Sequence, residues 1–148
     1  MQYLFIFLAW TLMIYLSHRL AHTKWIKWYY NLHEEHHNQI IHDSNKKFHW
    51  TNLFLYIDSW KGTLDQWIME IIPTIIFCYI FNCWWLFVCY YLWTAFVQEN
   101  IEHNPKFNLY PIITSGKWHL LHHDDPKVNF GVFVPIWDII FKTKKDLK

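Results

Sequence analysis

The chain has 148 residues and a mass of 18.5 kDa, the size of a single domain. Apolar residues make up 53% and aromatic residues 22%, with only 3 Gly and 5 Pro, and this composition excludes disordered and collagen-like proteins. A net charge of +1 argues against a nucleic-acid-binding protein, which would normally carry a basic face.

The first predicted element is an apolar helix over residues 3–17, because residues 3–16 carry no charge. A secretory signal peptide is the alternative interpretation of such an N-terminal run. However, no Lys or Arg precedes the run and no small-x-small cleavage site follows it, as a signal peptide would require. Cleavage near Ala21 would also separate His18 from His22, which are spaced like partners on one helix face. We therefore predict a membrane span here.

Two histidine groups follow this span, within residues 18–66. His18 and His22 stand four residues apart. In the string HEEHH, His33 and His37 repeat that spacing and His36 is added. Positions three and four apart share a helix face, so each group presents its imidazoles in one direction. HEEHH also resembles the HExxH helix of zinc proteases, with Glu34 as the base. A protease would not need His36, so we do not favour that interpretation.

A second apolar region covers residues 71–97, which contain no charge. As one helix this region would be about 40 Å long, against a hydrocarbon core of about 30 Å. Two shorter helices that turn near Asn82 would instead keep all 13 Lys and Arg on one side, which is the positive-inside pattern. A single helix would divide these cations between the two sides. We therefore predict a hairpin over about residues 67–98, with arms slightly short for a full crossing.

Residues 99–148 are more polar and add further histidines. His103 stands alone after the predicted hairpin, and HLLHH at residues 119–123 repeats the HxxHH spacing. The hairpin topology puts these histidines on the same side as the first two groups. We predict that residues 18–66 and 99–148 together form a cytosolic cap. The three cysteines fit neither a disulfide framework nor a CxxC metal site, and we interpret them as small buried apolar residues: Cys78, Cys83 and Cys89.

The spacing of the histidines predicts a metal centre. Neutral imidazole is a ligand for zinc, iron, copper and nickel, and eight or nine of the 11 His converge, enough for two metals. His42 and His49 fit no such spacing, and we interpret them as surface or supporting residues. A metal transporter is the weaker hypothesis, because Glu70 is the only ionisable residue at the edge of the apolar runs. The sequence contains no nucleophile elbow, P-loop or dinucleotide-binding glycine pattern.

Taken together, these motifs resemble those of a known family. The first block, SHRLAHTKWIKWYYNLHEEHH, NIEHNP around His103, and the last block, GKWHLLHHDDPKVNFGVFVPIWDIIFKTKK, resemble the fatty acid hydroxylase and sterol desaturase superfamily of membrane di-metal oxidases. That family has HRxxH, HxxHH, a histidine segment after a membrane hairpin, and a second HxxHH. The sterol carbon-five desaturase branch is the nearest in pattern. The family's later N-Y/F-G and WDxxF motifs correspond here to Asn129, Phe130, Gly131, Trp137, Asp138 and Phe141.

The sequence also departs from the family pattern. Glu34 and Glu35 stand where the family often has Lys, and a stretch around Asp58 replaces the family's HPx(D/E). Several members have a second histidine after the hairpin, where this chain offers Glu99 or Glu102. Typical members are also much longer, so we expect either a minimal version of the family or a fragment.

The apolar runs and the resemblance together predict an all-α, multi-pass integral membrane protein, a single domain over residues 1–148 whose histidine-rich cap holds a di-metal site. The resemblance implies an oxidase that uses dioxygen and external electrons to hydroxylate or desaturate a lipid, either a sterol or a fatty acyl chain. It implies a separate electron donor, such as cytochrome b5 or a ferredoxin with its reductase, and the endoplasmic reticulum in a eukaryote. Two iron ions, which zinc can replace in purified protein, would be held by His18, His22, His33, His36, His37, His103, His119, His122 and His123.

Nearby polar residues are expected to support these ligands. Carboxylates would orient the imidazole N–H groups, although ordinary solvated charge is the alternative for each one: Glu34, Glu35, Glu102, Asp124, Asp125 and Asp138. Asn129, Trp137 and Asp138 are expected to brace the last histidine segment. The alternative function is a non-catalytic membrane protein with a structural zinc site.

Overall fold

Helices form every regular element in residues 1–42, 48–57 and 59–146, the residues that this computed structural model describes. The predicted all-α fold is therefore confirmed for them. A 3-10 helix (Trp50–Phe54) precedes α3, and π-helical turns (Trp67–Ile71 and Thr94–Gln98) follow α3 and α5. The helices are α1 (Gln2–Ala21), α2 (Lys27–His42), α3 (Trp60–Gln66), α4 (Ile72–Phe81), α5 (Trp84–Trp93), α6 (Glu99–Ile101), α7 (Lys117–Asp124) and α8 (Ile136–Ile140).

The first helix, α1, has one face in the protein interior and one outside. Trp10 and Ile14, one turn apart, are buried, as the helical period requires for residues on one face. The Trp10 indole Nε1 donates a hydrogen bond to Thr74 Oγ1 in α4 at 2.9 Å. On the opposite face large apolar side chains are exposed, including Phe5, Leu16 and Leu20.

The second long helix is continuous from Trp60 to Phe81 and contains α3, a π-helical turn and α4. Ser59 caps its N-terminus, because its hydroxyl accepts a hydrogen bond from the Gly62 amide at 3.1 Å. Pro73 follows the π-helical turn, and the wider turn accommodates a residue that lacks an N–H and crowds the turn before it. Within this turn, Glu70 is buried in the bundle interior.

The chain reverses direction between α4 and α5. Asn82 has φ 49° and ψ 49°, the left-handed conformation that asparagine tolerates better than most residues other than glycine. The Cys83 amide donates to the Cys78 carbonyl at 3.1 Å and closes the end of α4, and α5 then packs against α4. Cys78 and Cys83 are buried, as predicted. The prediction is wrong for Cys89, which is exposed because it faces a groove beside α5.

Two helices, α1 and the Trp60–Phe81 helix, are long and apolar enough to cross a membrane. By length and composition alone, the core helix of a soluble protein or an N-terminal signal would pass the same test. Less than half of the apolar window of each helix, 39% and 44%, is buried inside the structure. Large apolar side chains therefore remain outside, among them Ile76, Tyr79 and Ile80. These features fit membrane association.

The apolar core lies between α1, α4 and α5, with residues 132–133 packed against it. A second, more polar layer contains α2 and α7, and α2 packs against α1, α3 and α7. The two layers meet at the C-terminal end of α1, where the first histidines of the chain are located.

Candidate metal centre

The C-terminal end of α1 carries the first pair of histidines. His18 is buried, and its Nδ1 lies 2.7 Å from the Phe130 carbonyl oxygen. A carbonyl can only accept a hydrogen bond, so this contact places the His18 proton on Nδ1 and leaves a lone pair on Nε2. His22, one turn later, has its Nε2 3.3 Å from His18 Nε2.

The second group of histidines lies on α2, which packs against α3. His33 Nδ1 lies 2.8 Å from Asp65 Oδ2, and both side chains are buried. A carboxylate in this position accepts the Nδ1 proton and holds the ring with Nε2 towards the interior. His33 Nε2 is 3.0 Å from His22 Nε2, and His37 lies buried one turn further along α2.

The helix α7 supplies the last three histidines, all of them buried. His122 Nδ1 lies 2.7 Å from the Val128 carbonyl oxygen, and its Nε2 is 3.0 Å from His22 Nε2. On the neighbouring face of α7, His119 Nε2 and His123 Nε2 are 3.1 Å apart. The HxxHH spacing thus sends His122 to one side of α7, and His119 and His123 to the other.

The nine candidate histidines lie in two adjacent groups. Within each group, one nitrogen from every residue lies within 4.8 Å of the corresponding nitrogens of the others. The groups are neighbours, because the rings of His37 and His123 have centroids 4.2 Å apart. The five-histidine group contains His18, His22, His33, His37 and His122. The four-histidine group contains His36, His103, His119 and His123.

The distances within the groups fit metal ions. Nitrogens bound to one ion at 2.0–2.1 Å in tetrahedral geometry lie about 3.3 Å from each other, and the observed Nε2 separations are 3.0–3.3 Å. His18, His33 and His122 each donate from Nδ1 to an oxygen, so their Nε2 lone pairs face one another. A cation between such lone pairs removes their repulsion and uses them as ligands.

Burial keeps these imidazoles in the form that binds metal. The pKa of His22 falls to about 2 and that of His122 to about 3, first because burial disfavours the charged ring and then because other imidazoles lie close. The pKa values of His37, His119 and His123 are lowered for the same two reasons. The rings are therefore neutral near pH 7, as metal ligands must be.

A small cavity is lined by residues of the two groups and of the Trp60–Phe81 helix. Its volume is about 30 Å³, enough for a water-sized molecule. Histidines from both groups line it, including His18 and His36, and Asp65 and Glu70 line its other side. A small molecule in this cavity would therefore touch both histidine groups.

Most of the six candidate carboxylates follow the alternative interpretation and contact groups other than the histidines. Asp65, which is not among these six residues, contacts His33 Nδ1 at 2.8 Å and orients that imidazole. Glu102 lies close to a ligand candidate, with Oε1 3.8 Å from His119 Nε2, and Asp124 is exposed. The other four bind elsewhere, because they face solvent or a loop: Glu34 accepts from Tyr30, Glu35 pairs with Lys61, Asp125 pairs with Lys145, and Asp138 binds backbone amides.

The loop after α7 is braced by the residues expected to be structural. Asp138 accepts hydrogen bonds from the Phe130 and Gly131 amides, both at 2.8 Å, although burial raises its pKa. Asn129, with a left-handed φ of 54°, binds both backbone groups of Lys145 through its side-chain amide. These contacts fix the Phe130 carbonyl, which accepts the hydrogen bond from His18 Nδ1.

His49 belongs to neither histidine group. His49 is exposed and caps the 3-10 helix, where its Nδ1 contacts the Thr51 hydroxyl at 2.8 Å, so it has the surface role expected for it. Asp58 and the side chains of His42 and Glu99 lie outside the described residues.

Comparison with known proteins identifies one family. The family model described as fatty acid hydroxylase matches residues 3–143, a range that includes both histidine groups. No curated protein and no solved structure gives a significant match.

Proposed function

The chain belongs to the fatty acid hydroxylase family, and from this premise we propose that it is a membrane di-iron oxidase that hydroxylates or desaturates a lipid. The family makes the chain an oxidoreductase of the lipid hydroxylase or desaturase type. The observation that carries the di-iron proposal is the pair of adjacent histidine groups, in which Nε2 atoms lie 3.0–3.3 Å apart.

Each histidine group would hold one ion. Two irons there would supply, with dioxygen and external electrons, the redox chemistry that removes hydrogen from an unactivated C–H bond, which no side chain supplies. The five-histidine and four-histidine groups share the small cavity, so a substrate carbon or dioxygen in it would be within reach of both. Zinc can occupy the same nitrogen ligands in purified protein.

The chain's own groups orient the ligands and exclude water. The oxygens that accept the Nδ1 protons fix each ring and leave Nε2 free to bind metal; they belong to Phe130 for His18, Asp65 for His33 and Val128 for His122. Burial of these rings keeps bulk water from the centre.

A lipid substrate would approach from the bilayer. We place residues 3–17 and a hairpin over about residues 67–98 in the membrane, with residues 18–66 and 99–148 as a cytosolic cap. This topology is supported by the exposed apolar helices and by the 13 Lys and Arg, all of which lie in the cap. Electrons would come from a separate carrier such as cytochrome b5 or a ferredoxin with its reductase, at the endoplasmic reticulum in a eukaryote.

Metal content is the first test. The full chain is purified anaerobically in detergent, and iron and zinc per chain are counted separately by mass spectrometry. About two irons per chain, and a hydroxylated or desaturated lipid in cells that express the chain, are the expected results. Zinc-loaded protein that takes up iron without yielding any oxidised lipid would favour the structural zinc alternative. One metal or none would contradict the di-metal assignment.

Removing one histidine from each group tests the ligand assignment. In the double variant His122→Ala and His123→Ala we expect both bound metal and lipid oxidation to be lost, while the protein still inserts in membranes. The matched control is His49→Ala, which removes an exposed histidine outside both groups. Full activity in the double variant would contradict the assignment.

A further inference from the structure

An apolar groove runs beside α1 and α5. Its volume is about 510 Å³, within the range of about 300–1,000 Å³ for ligand sites. Phe7, Trp85, Cys89 and Trp93 are among its lining residues, and the exposed Cys89 thiol marks its open side. Apolar carbon thus dominates its walls, which suits a hydrocarbon ligand.

Three aromatic rings close the inner side of this groove. Trp10 lies 4.6 Å from Phe133 and 5.8 Å from Tyr90, measured between ring centroids, and Tyr90 lies 6.2 Å from Phe133. All three line the groove, and Trp10 and Tyr90 are buried. We call these residues the aromatic wall.

The small cavity at the metal centre lies directly behind the aromatic wall. Tyr90 donates a hydrogen bond from its hydroxyl to Glu70 Oε2 at 3.0 Å, and Glu70 lines the small cavity. Val132 lines the same cavity, whereas its neighbour Phe133 lines the groove. Two pairs of residues therefore connect the groove with the small cavity, Tyr90 with Glu70 and Phe133 with Val132.

The hydrogen bond between Tyr90 and Glu70 holds Tyr90 in the aromatic wall. A buried carboxyl group without a hydrogen-bond partner costs free energy, so Glu70 favours the position of Tyr90 in which the hydroxyl reaches it. Glu70 belongs to a π-helical turn, a feature often found at functional sites. Loss of this hydrogen bond would release Tyr90 from the side chain that lines the small cavity.

We propose that the groove binds the hydrocarbon chain of a fatty acyl lipid, and that Tyr90, held by Glu70, controls how far this chain enters towards the metal centre. The proposal rests on the proposed function, since it assigns the acyl chain as substrate. The hydrogen bond from Tyr90, which lines the groove, to Glu70, which lines the small cavity, is the reason to place the substrate in this groove. Tyr90 is thus a specificity-determining residue, because its position determines which carbon of the chain reaches the metal centre.

Photo-crosslinking tests this placement without turnover. The purified full chain in lipid nanodiscs is irradiated with a palmitic acid analogue that carries a diazirine near the end of its chain, with and without excess palmitic acid. We expect labelling that palmitic acid suppresses on the groove side of α5, and little labelling in Trp67–Ile71. In Tyr90→Ala, labelling of Trp67–Ile71 should rise about tenfold, because Glu70 loses its hydrogen bond and the wall opens.

Two further variants separate the hydroxyl from the ring. Tyr90→Phe keeps the packing but loses the bond to Glu70, so labelling of Trp67–Ile71 should rise by an intermediate amount. Tyr91→Phe is the matched control, because Tyr91 donates its hydroxyl to the Leu53 carbonyl at 2.9 Å and does not line the groove. The distribution of label in Tyr91→Phe should match that in the unaltered chain.

Several outcomes would overturn the proposal. One is an equal distribution of label in the unaltered chain, Tyr90→Phe and Tyr90→Ala. Another is the absence of labelling on α5 that palmitic acid suppresses, or occupation of the groove by a sterol photoprobe but not by the fatty acid probe. The proposed function fails by different results, namely no iron and no oxidised lipid. If the label moved as expected in a chain that oxidises no lipid, the groove proposal would hold and the proposed function would fail.

Discussion

At the residue scale, Asp65 shows how one side chain prepares another for metal binding. Its carboxylate oxygen Oδ2 accepts a hydrogen bond from His33 Nδ1 at 2.8 Å, and both groups are buried. Asp65 therefore sets which nitrogen of His33 faces the five-histidine group.

Substitution of Asp65 should weaken metal binding without removing a ligand. We expect Asp65→Ala to lower the metal affinity by about 10–100-fold, the usual effect of losing such a partner. Asp65→Asn should lower the metal affinity less, because its amide oxygen can still accept the hydrogen bond from His33 Nδ1. The measurement is metal retained after dialysis against graded chelator.

The matched control for this series is Glu35→Gln. Glu35 lies on the same helix as His33 and pairs with Lys61 at 3.2 Å in a half-exposed position, where an ion pair contributes little. If Asp65→Ala retained metal as well as Glu35→Gln, the orienting role of Asp65 would be wrong.

At the element scale, the position of α7 depends on the residue before it. Gly116 has φ +72° and ψ −130°, a conformation that side chains with a Cβ rarely adopt. A Cβ at this position would also lie 2.2 Å from the Phe107 carbonyl oxygen. The start of α7 is thus held against the preceding loop at a distance that only glycine allows.

Gly116→Ala should displace α7 and the three histidines on it. We expect a loss of roughly 2 kcal/mol or more in the free energy of unfolding, since the strained backbone and the contact with Phe107 each cost energy, together with reduced metal content. Thermal unfolding in detergent and metal counting provide the measurements. Lys117→Ala, at the exposed next position, is the control, and equal stability of the two variants would contradict this account.

Helix-period spacing explains why so much of the centre could be predicted from the sequence. His33, His36 and His37 lie on one helix, as do His119, His122 and His123, so short-range periodicity was enough to group them. Their oxygen partners could not be found in this way. Two of the partners are backbone carbonyls, which carry no sequence signal, and Asp65 lies 32 residues from His33. The sequence signal for Asp65 is its position just before the second apolar region, and this does not identify His33 as its partner.

At the scale of the whole molecule, the buried imidazoles link stability to pH. In the folded chain the pKa of His22 is about 2 and that of His122 about 3, whereas in the unfolded chain each is near 6.5. Between these values the unfolded state binds more protons. Stability should therefore fall as the pH drops below about 6.5, by up to about 1.4 kcal/mol per pH unit for each such histidine.

We expect the thermal midpoint of the metal-free chain in detergent to be clearly lower at pH 5.5 than at pH 7.5. Protonation also competes with metal for the same nitrogens, so metal-loaded protein should release its ions over the same range. A midpoint that did not change between these two pH values would contradict the burial of neutral imidazoles.

The contact between His22 and His122 has a consequence for chain entropy. The two Nε2 atoms lie 3.0 Å apart although the residues are 100 positions apart in the sequence. An ion bound to both would close a loop of that length, as a disulfide does, and a covalent cross-link over about 100 residues removes roughly 4.7 kcal/mol of unfolded-state entropy. In a chain whose helices expose much apolar surface to their surroundings, such a cross-link would hold the first helix and the last histidine segment in register.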